Sequence, residues 1–332
     1  ENYNKAIDLL LKDGDRKVLL AKIYNQCAST YSQKGEKALA IANYEKALAV
    51  GIEIWGPDHR YLGSVYSNLG GEYGRAKQHA KSLESYKTAL KILSKWHGPD
   101  HEDVGRIYNW IGLHYGNSGQ VDLAIPNYEK ALEIWLKVRG PDHLDTAMVY
   151  INLGSCYGQK GEDDLAIDNF GKGLAIRLKV LGPNHPAVAE IYPQLGTHYG
   201  NKGQEELAIE NYEKALKIYL KTHGPEHPWV AIFYSNLGSS YGRKGQHDLA
   251  IENFEKALKI RLKALGPEHL DVAEIYSHLG IEYSMTRQPD LASRNFEKEL
   301  EINLKALGPD HLDVARAYRN LGFSYGPEGI KK

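Results

Sequence analysis

The strongest constraint on this chain is that it repeats itself. A Gly-Pro pair followed by Asp, Glu or Asn and then His occurs seven times, at His59, His101, His143, His185, His227, His269 and His311, each 42 residues after the last. Two tyrosine series keep the same interval, one from Tyr24 to Tyr318 and one from Tyr31 to Tyr325, eight positions each out of 23 tyrosines. A third aromatic series runs Tyr44, Tyr86, Tyr128, Phe170, Tyr212, Phe254 and Phe296. No insertion or deletion breaks the period between Tyr24 and Tyr325. Self-similarity at a fixed interval of this size means one supersecondary unit stacked on copies of itself.

The hydrophobic spacing inside a unit is helical. Val272, Ile275, Tyr276, Leu279 and Tyr283 step by three or four residues, which is one face of a helix, here helix A. Ala250, Phe254, Ala257, Leu258, Leu262 and Leu265 do the same and define helix B. A glycine such as Gly35, Gly119, Gly161, Gly203 or Gly245 marks a tight turn from A to B. Helix B stops at the glycine of Gly-Pro, because proline cannot continue it. Acids such as Asp103, Asp271 and Asp313 open the next helix A, where the helix dipole favours them. Gly70, Gly112, Gly154, Gly196, Gly238, Gly280 and Gly322 sit in mid-helix, a choice that costs about 1 kcal/mol each against alanine. Seven repetitions imply close approach of an aromatic from helix B, a knob against a small-residue hole.

The predicted fold is therefore all-α, a right-handed superhelical solenoid of antiparallel helix pairs. Residues 17–310 hold seven full A/B repeats, with a lone helix B pattern at 2–12, a lone helix A at 311–325 and a tail at 326–332. The first residues, Glu1-Asn2-Tyr3, fall inside a helix B pattern and read as a piece of a longer protein.

The pattern Tyr234, Leu237-Gly238, Tyr241, Gly245, Ala250, Phe254 and Ala257 resembles the tetratricopeptide repeat family, and the 42-residue unit with its Leu265–Ala273 linker is similar to the kinesin light chain and nephrocystin-like branch. The resemblance implies a non-enzymatic protein- or peptide-binding scaffold whose A helices line a concave groove. Five positions depart from the pattern. Ser82, Gly173 and Glu299 replace alanine or another small residue, and Lys77 and Arg287 replace the turn glycine, which suggests looser packing in the second and seventh units.

Comparing repeats with one another separates frame from content. On the side of helix A away from helix B the residues change freely while the frame does not. One position there reads Gln26, Asn68, Trp110, Asn152, Gln194, Asn236, His278 and Asn320. Side-chain amides donate and accept at once, which is what holding a peptide backbone requires. The series resembles the asparagine ladder of peptide-binding relatives. Trp110, Leu113, Met148 and Ile151 form an apolar patch near Arg75 and Arg106, a composition suited to an aromatic or aliphatic anchor with nearby acids, as kinesin light chain cargo motifs carry by resemblance. These thirteen residues are the candidate peptide site. Pro193 falls within helix A of its unit and should bend it.

Other chemistries find little support. Net charge is -1, with 41 basic against 42 acidic residues, so there is no basic stripe for nucleic acid. No apolar run approaches the ~20 residues needed to cross a bilayer. Gly238-Ser239-Ser240-Tyr241-Gly242 matches a nucleophile-elbow string but lies in a repeated helix rather than a strand-turn-helix. The seven linker histidines come one per unit, too far apart to share a zinc ion, and read as structural; no metal or cofactor is expected. Cys27 and Cys156 occupy apolar helix positions and read as buried thiols of a reducing, cytoplasmic protein. Two further readings stay open: a structural scaffold that binds through its outer face or self-associates end to end, and the regulatory tail of a larger enzyme or receptor.

Overall fold

In a computed structural model of the chain, residues 17–325 are described. The lone helix B pattern at 2–12 and the tail at 326–332 lie outside them. The chain divides into two compact units, Glu1–Leu165 and Ala166–Lys332. The division falls within one helix, Asp163–Leu181.

The first unit alternates A and B helices: α1 (Lys17–Gln33), α2 (Lys37–Trp55), α3 (Arg60–Arg75), α4 (His79–His97), α5 (Glu102–Asn117), α6 (Val121–Val138) and α7 (Leu144–Gln159), with α8 (Asp163–Leu181) at the division. The second continues with α9 (Pro186–Ala189), α10 (Tyr192–Asn201), α11 (Glu205–His223), α12 (Pro228–Arg243), α13 (His247–Leu265), α14 (Leu270–Met285), α15 (Pro289–Leu307) and α16 (Leu312–Ser324). No strand occurs among the described residues. A helices pack on the B helix that follows, α1 on α2, α3 on α4 and α5 on α6 in the first unit and α10 on α11, α12 on α13 and α14 on α15 in the second, and B helices pack on the next A helix, α2 on α3, α4 on α5, α6 on α7, α11 on α12, α13 on α14 and α15 on α16.

Three local devices set the register. At the A-to-B turn, the backbone N–H after the glycine returns to the carbonyl of the second tyrosine series, as in Glu36 to Tyr31 at 2.9 Å and Gln246 to Tyr241 at 2.9 Å. This is the six-to-one bond of a helix closed by a left-handed residue, with Gly35 at φ 77° and Gly245 at 74°. Lys77 and Arg287 adopt the same turn at φ 59°, so the substitution keeps the backbone path and stores strain instead of loosening it. Ser82 does not loosen its unit either: it is buried and its hydroxyl donates to the Gly70 carbonyl at 2.7 Å.

At the B-to-A linker, the closing glycines stand near φ 82° and ψ 170° (Gly224), a region that a side chain would not tolerate. The linker histidine immediately before each A helix is its cap. His59 Nδ1 accepts the Tyr61 N–H at 3.3 Å, and the other six linker histidines repeat that bond at 3.1 to 3.3 Å. That is the structural role the spacing implied, filled by imidazole where Ser or Asp is usual.

The core is the knob-and-hole contact expected of the mid-helix glycines. A Cβ placed on Gly112 would come within 2.8 Å of the Tyr128 ring, and one on Gly238 within 2.9 Å of Phe254. Only hydrogen leaves room for those rings. Between repeats, the second tyrosine series donates to a glutamate on the preceding helix B, as Tyr241 to Glu213 at 3.2 Å and Tyr283 to Glu255 at 2.9 Å. Cys27 and Cys156 are buried and unpaired, and burial raises both thiols above their ordinary pKa. Pro193 breaks its helix rather than bending it: α9 ends at Ala189 and α10 begins at Tyr192, where the proline lacks the N–H that would have reached Ala189.

Candidate functional site

The variable side of the A helices is open in both units. In the first, Gln26, Asn68, Arg75, Arg106, Trp110 and Met148 are exposed, and Leu113, Ile151 and Asn152 are half-buried. In the second, Gln194 is exposed while Asn236, His278 and Asn320 are half-buried.

The structure gathers some of these residues and not others. A cavity of about 250 Å³ opens where the end of α3, the start of α4 and the end of α5 meet. Arg75, Trp110 and Leu113 line it, together with His79, Tyr86 and His114. Trp110 is 38% exposed and lies parallel to the Tyr86 ring, with centroids 6.2 Å apart and planes 16° apart. Stacking on the knob tyrosine leaves one face and edge of the indole toward the opening. His79 and His114 face each other with ring centroids 5.6 Å apart. Burial, and then the neighbouring His79, pushes the His114 pKa below its ordinary value, so it stands neutral at pH 7.

Arg75 is not a free cation. Its guanidinium pairs with the carboxylate of Glu72, which is 1% exposed, and donates to Ser32 Oγ at 2.9 Å. The pair anchors the arginine at the rim of the cavity. Arg106 is bound to Asp103 at 3.1 Å, outside the cavity. Met148 and Ile151 lie on the next A helix and do not line it either, so the apolar patch read from the sequence divides in two.

The amide series is uneven as well. Asn152 Nδ2 donates to Asn109 Oδ1 at 3.2 Å, and Asn320 Oδ1 accepts from Arg319 at 3.3 Å. His278 lies flat on Phe254, centroids 4.9 Å apart and planes 2° apart, and burial lowers its pKa. Asn236 lines a second cavity of about 390 Å³ in the same register of the second unit, with Thr197, Asn201, Tyr212, Ser239 and Arg243.

Tyr86, His79 and His114 are among the lining residues that sequence reading passed over. Tyr86 belongs to the unvarying frame and read only as core. His79 and His114 lie on helices of different repeats, and nothing in their spacing announces that they meet. Among the described residues no cluster of three or more His, Cys, Asp or Glu is placed to hold a metal, and no helix is long and apolar enough to cross a membrane.

The profile of the tetratricopeptide repeat matches residues 19–95, 103–179, 164–221, 188–263 and 229–305. The chain is a tetratricopeptide repeat protein. Such repeats are protein-interaction modules. BtubC (BKLC) from P. vanneervenii is similar over 67% of this chain and 88% of its own, at 25% identity and TM-score 0.57. The nearly identical TPR-like repeats described for a Podosopora anserina kinesin light chain are similar over 62% of this chain and 98% of theirs, at 26% identity and TM-score 0.55. A tetratricopeptide protein of Cytophaga hutchinsonii shares the fold over 89% of this chain and 98% of its own, at 18% identity and TM-score 0.61. No curated protein matches the sequence.

Proposed function

We propose that this tetratricopeptide array is a non-enzymatic module that binds an extended peptide, or an extended segment of a partner protein, along the open side of its A helices. The cavity beneath Trp110 carries this reading. It joins an exposed indole, an anchored arginine and two facing imidazoles at the edge of an otherwise polar surface, and 250 Å³ suits one large side chain. The guest is an aromatic or aliphatic anchor with an acceptor group near it for Arg75. The exposed amides Gln26, Asn68 and Gln194, with Asn152, Asn236 and Asn320, supply backbone contacts indifferent to the guest's sequence. Arg106, Leu113, Met148, Ile151 and His278 complete the surface.

The similarity to kinesin-light-chain-type repeats supports a protein ligand over a small molecule. The B-helix side carries wider hollows, such as one of about 530 Å³ along α11 lined by Glu213, Leu216, Lys217, Leu220 and Lys221, but no aromatic lines that one, and the outer-face reading stands second.

Selection from a displayed random-peptide library tests the proposal. Wild type should enrich a shared motif. Trp110→Ala should lose the anchor position of that motif, and an Asn68→Ala, Asn152→Ala, Asn236→Ala variant should weaken every selected peptide alike. No enrichment by wild type, or equal enrichment by all three proteins of matched fold, would overturn it.

A further inference from the structure

The outer side of α4 departs from its sister B helices at three positions. Where the six sisters carry Leu39, Leu123, Leu165, Leu207, Leu249 and Leu291, α4 carries Lys81. Where five of them carry Glu45, Glu129, Glu213, Glu255 and Glu297, and one Gly171, it carries Lys87. Where all six carry lysine, from Lys46 to Lys298, it carries Thr88. With Lys91 and Lys95, α4 holds four lysines against the single acid Glu84. The next B helix of the same unit, α6, holds Lys130 and Lys137 against Asp122, Glu129 and Glu133.

Two of these changes give up contacts that the sister helices use to hold the array together. The glutamate accepts from the second-series tyrosine of the next A helix, as Glu45 does from Tyr73 at 2.5 Å and Glu255 from Tyr283 at 2.9 Å. Tyr115, whose register partner is Lys87, makes no such bond. The lysine stands over the first-series tyrosine of its own repeat, Lys46 at 5.6 Å from the Tyr24 ring and Lys256 at 5.5 Å from Tyr234. Over Tyr66 there is Thr88 instead. What α4 has in exchange is exposed charge. Lys87 and Lys91 are four residues apart, where like charges on a helix repel, and neither forms an ion pair among the described residues. Lys95 pairs with Asp58 at 3.0 Å, and Lys81 lies 5.3 Å from the Tyr73 ring. A hollow of about 530 Å³ follows this side of α4, lined by Ala80, Leu83, Glu84, Lys87, Thr88 and Lys91. A frame that keeps its stabilising residues on every other outer helix and gives them up on one marks a surface shaped by something besides the fold.

We infer that the outer side of α4 is a docking site for an acidic segment of a partner protein, whose carboxylates pair with Lys87 and Lys91. Charge names the occupant: two ammonium groups without partners stand on a hollow that also offers Ala80 and Leu83, so the segment carries an apolar side chain among its acids. The basic face is one helix wide on a chain of net charge -1, too little for a nucleic-acid backbone or an anionic bilayer. It is separate from the cavity beneath Trp110, to which α4 gives His79, Ser82 and Tyr86, and the inference stands whether or not that cavity binds peptide.

Fluorescence anisotropy of a labelled peptide of glutamates around one central leucine, titrated with the 332-residue chain, tests this. Wild type should bind the probe, with affinity falling as salt rises. Lys87→Glu and Lys91→Glu should each weaken it about tenfold or more, since a like charge then meets the probe. Lys259→Glu, at the position of Lys91 on α13, should change it by less than about twofold, because its surroundings keep the sister pattern. Lys87→Glu also restores the residue the sisters carry, so its thermal midpoint should equal or exceed that of wild type. That readout separates a lost site from a lost fold. A wild type that does not bind the probe overturns the inference. So does an equal loss with Lys259→Glu, or a lowered midpoint in Lys87→Glu. Tighter binding of single-stranded DNA or phosphatidylserine vesicles through Lys87 also overturns it, in favour of a nucleic acid or a membrane.

Discussion

Two cavities occupy the same place in the repeat and share one frame. In the first unit the floor is Tyr86 and the backbone passes at Gly74; in the second they are Tyr212 and Gly200. Around that frame the contents diverge. Trp110 and Leu113 in the first correspond to Asn236 and Ser239 in the second, and Gly71 corresponds to Thr197. In the second cavity Thr197 Oγ1 and Tyr212 Oη are 3.2 Å apart, and Arg243 is held by Glu205 at 2.9 Å and by Ser240 at 3.0 Å. There the threonine and tyrosine hydroxyls pair with each other, and the arginine pairs with its neighbours. The first leaves an indole face open beside an arginine. The frame fixes where a cavity forms, because the knob and glycine contact dictates helix spacing. The side chains that differ around it, Trp110 against Asn236 and Arg75 against Asn201 among them, set the contrast between the two cavities.

The largest test of that contrast is the buried carboxylate in each frame. Glu72 and Glu205 are both nearly inaccessible and each leans on one arginine. Arg75→Ala and Arg243→Ala should each cost about 2 kcal/mol of stability, at or below the low end for a broken buried pair because both arginines are half exposed. Chemical denaturation reads this; equal losses would show that the arginines do the same structural work in both cavities. The double replacement Arg243→Met, Glu205→Met should recover most of the loss.

Next comes the indole. Trp110→Ala should weaken a selected peptide by about 2 kcal/mol, as for an anchor residue, while Asn236→Ala should change affinity by under about 1 kcal/mol. Titration calorimetry separates them, and similar losses at the two positions would erase the distinction drawn here. A converse experiment is to build the first cavity's contents in the second: Thr197→Gly, Asn236→Trp and Ser239→Leu should create a second anchor site, visible as a second equivalent of the same peptide bound.

The smallest effect is that of pH. Burial depresses the pKa of His114, so the folded chain takes up its proton at lower pH than the unfolded chain does. Its contribution to stability is therefore complete above the ordinary histidine range and is lost as pH falls through the depressed folded value. Peptide affinity and stability of the first cavity should change on acidification, by under about 1 kcal/mol, and His114→Gln should abolish the change. The second cavity has no histidine in its lining and should not respond.

Much of this was legible in advance, for reasons particular residues make clear. The 42-residue interval of His59, Tyr24 and Gly70 fixed the helix pairs, because each is a backbone requirement that recurs wherever the backbone does. The linker histidines were placed correctly as structural, though their capping bond depends on a ring nitrogen that no spacing displays. Pro193 announced a disturbance, and the structure supplied its form, a gap at Glu190 and Ile191 between α9 and α10. The candidate site was less legible. The amide positions stand out because they vary on a fixed frame, but their environments differ: Asn152 donates to Asn109 and His278 is flattened on Phe254. Lys77 and Arg287 show the same limit from the other side, since the turn kept its left-handed geometry without glycine.

The sequence alone determined the architecture: helical, paired, periodic, with aromatics seated on glycines. Those rules are local, acting within one repeat or between a repeat and its copy, and a period repeats them along the chain. Only the tertiary structure decided which variable residues meet. Arg75, His79 and Trp110 come from three helices, and their convergence depends on the packing of one repeat against the next, a contact that linear spacing does not encode.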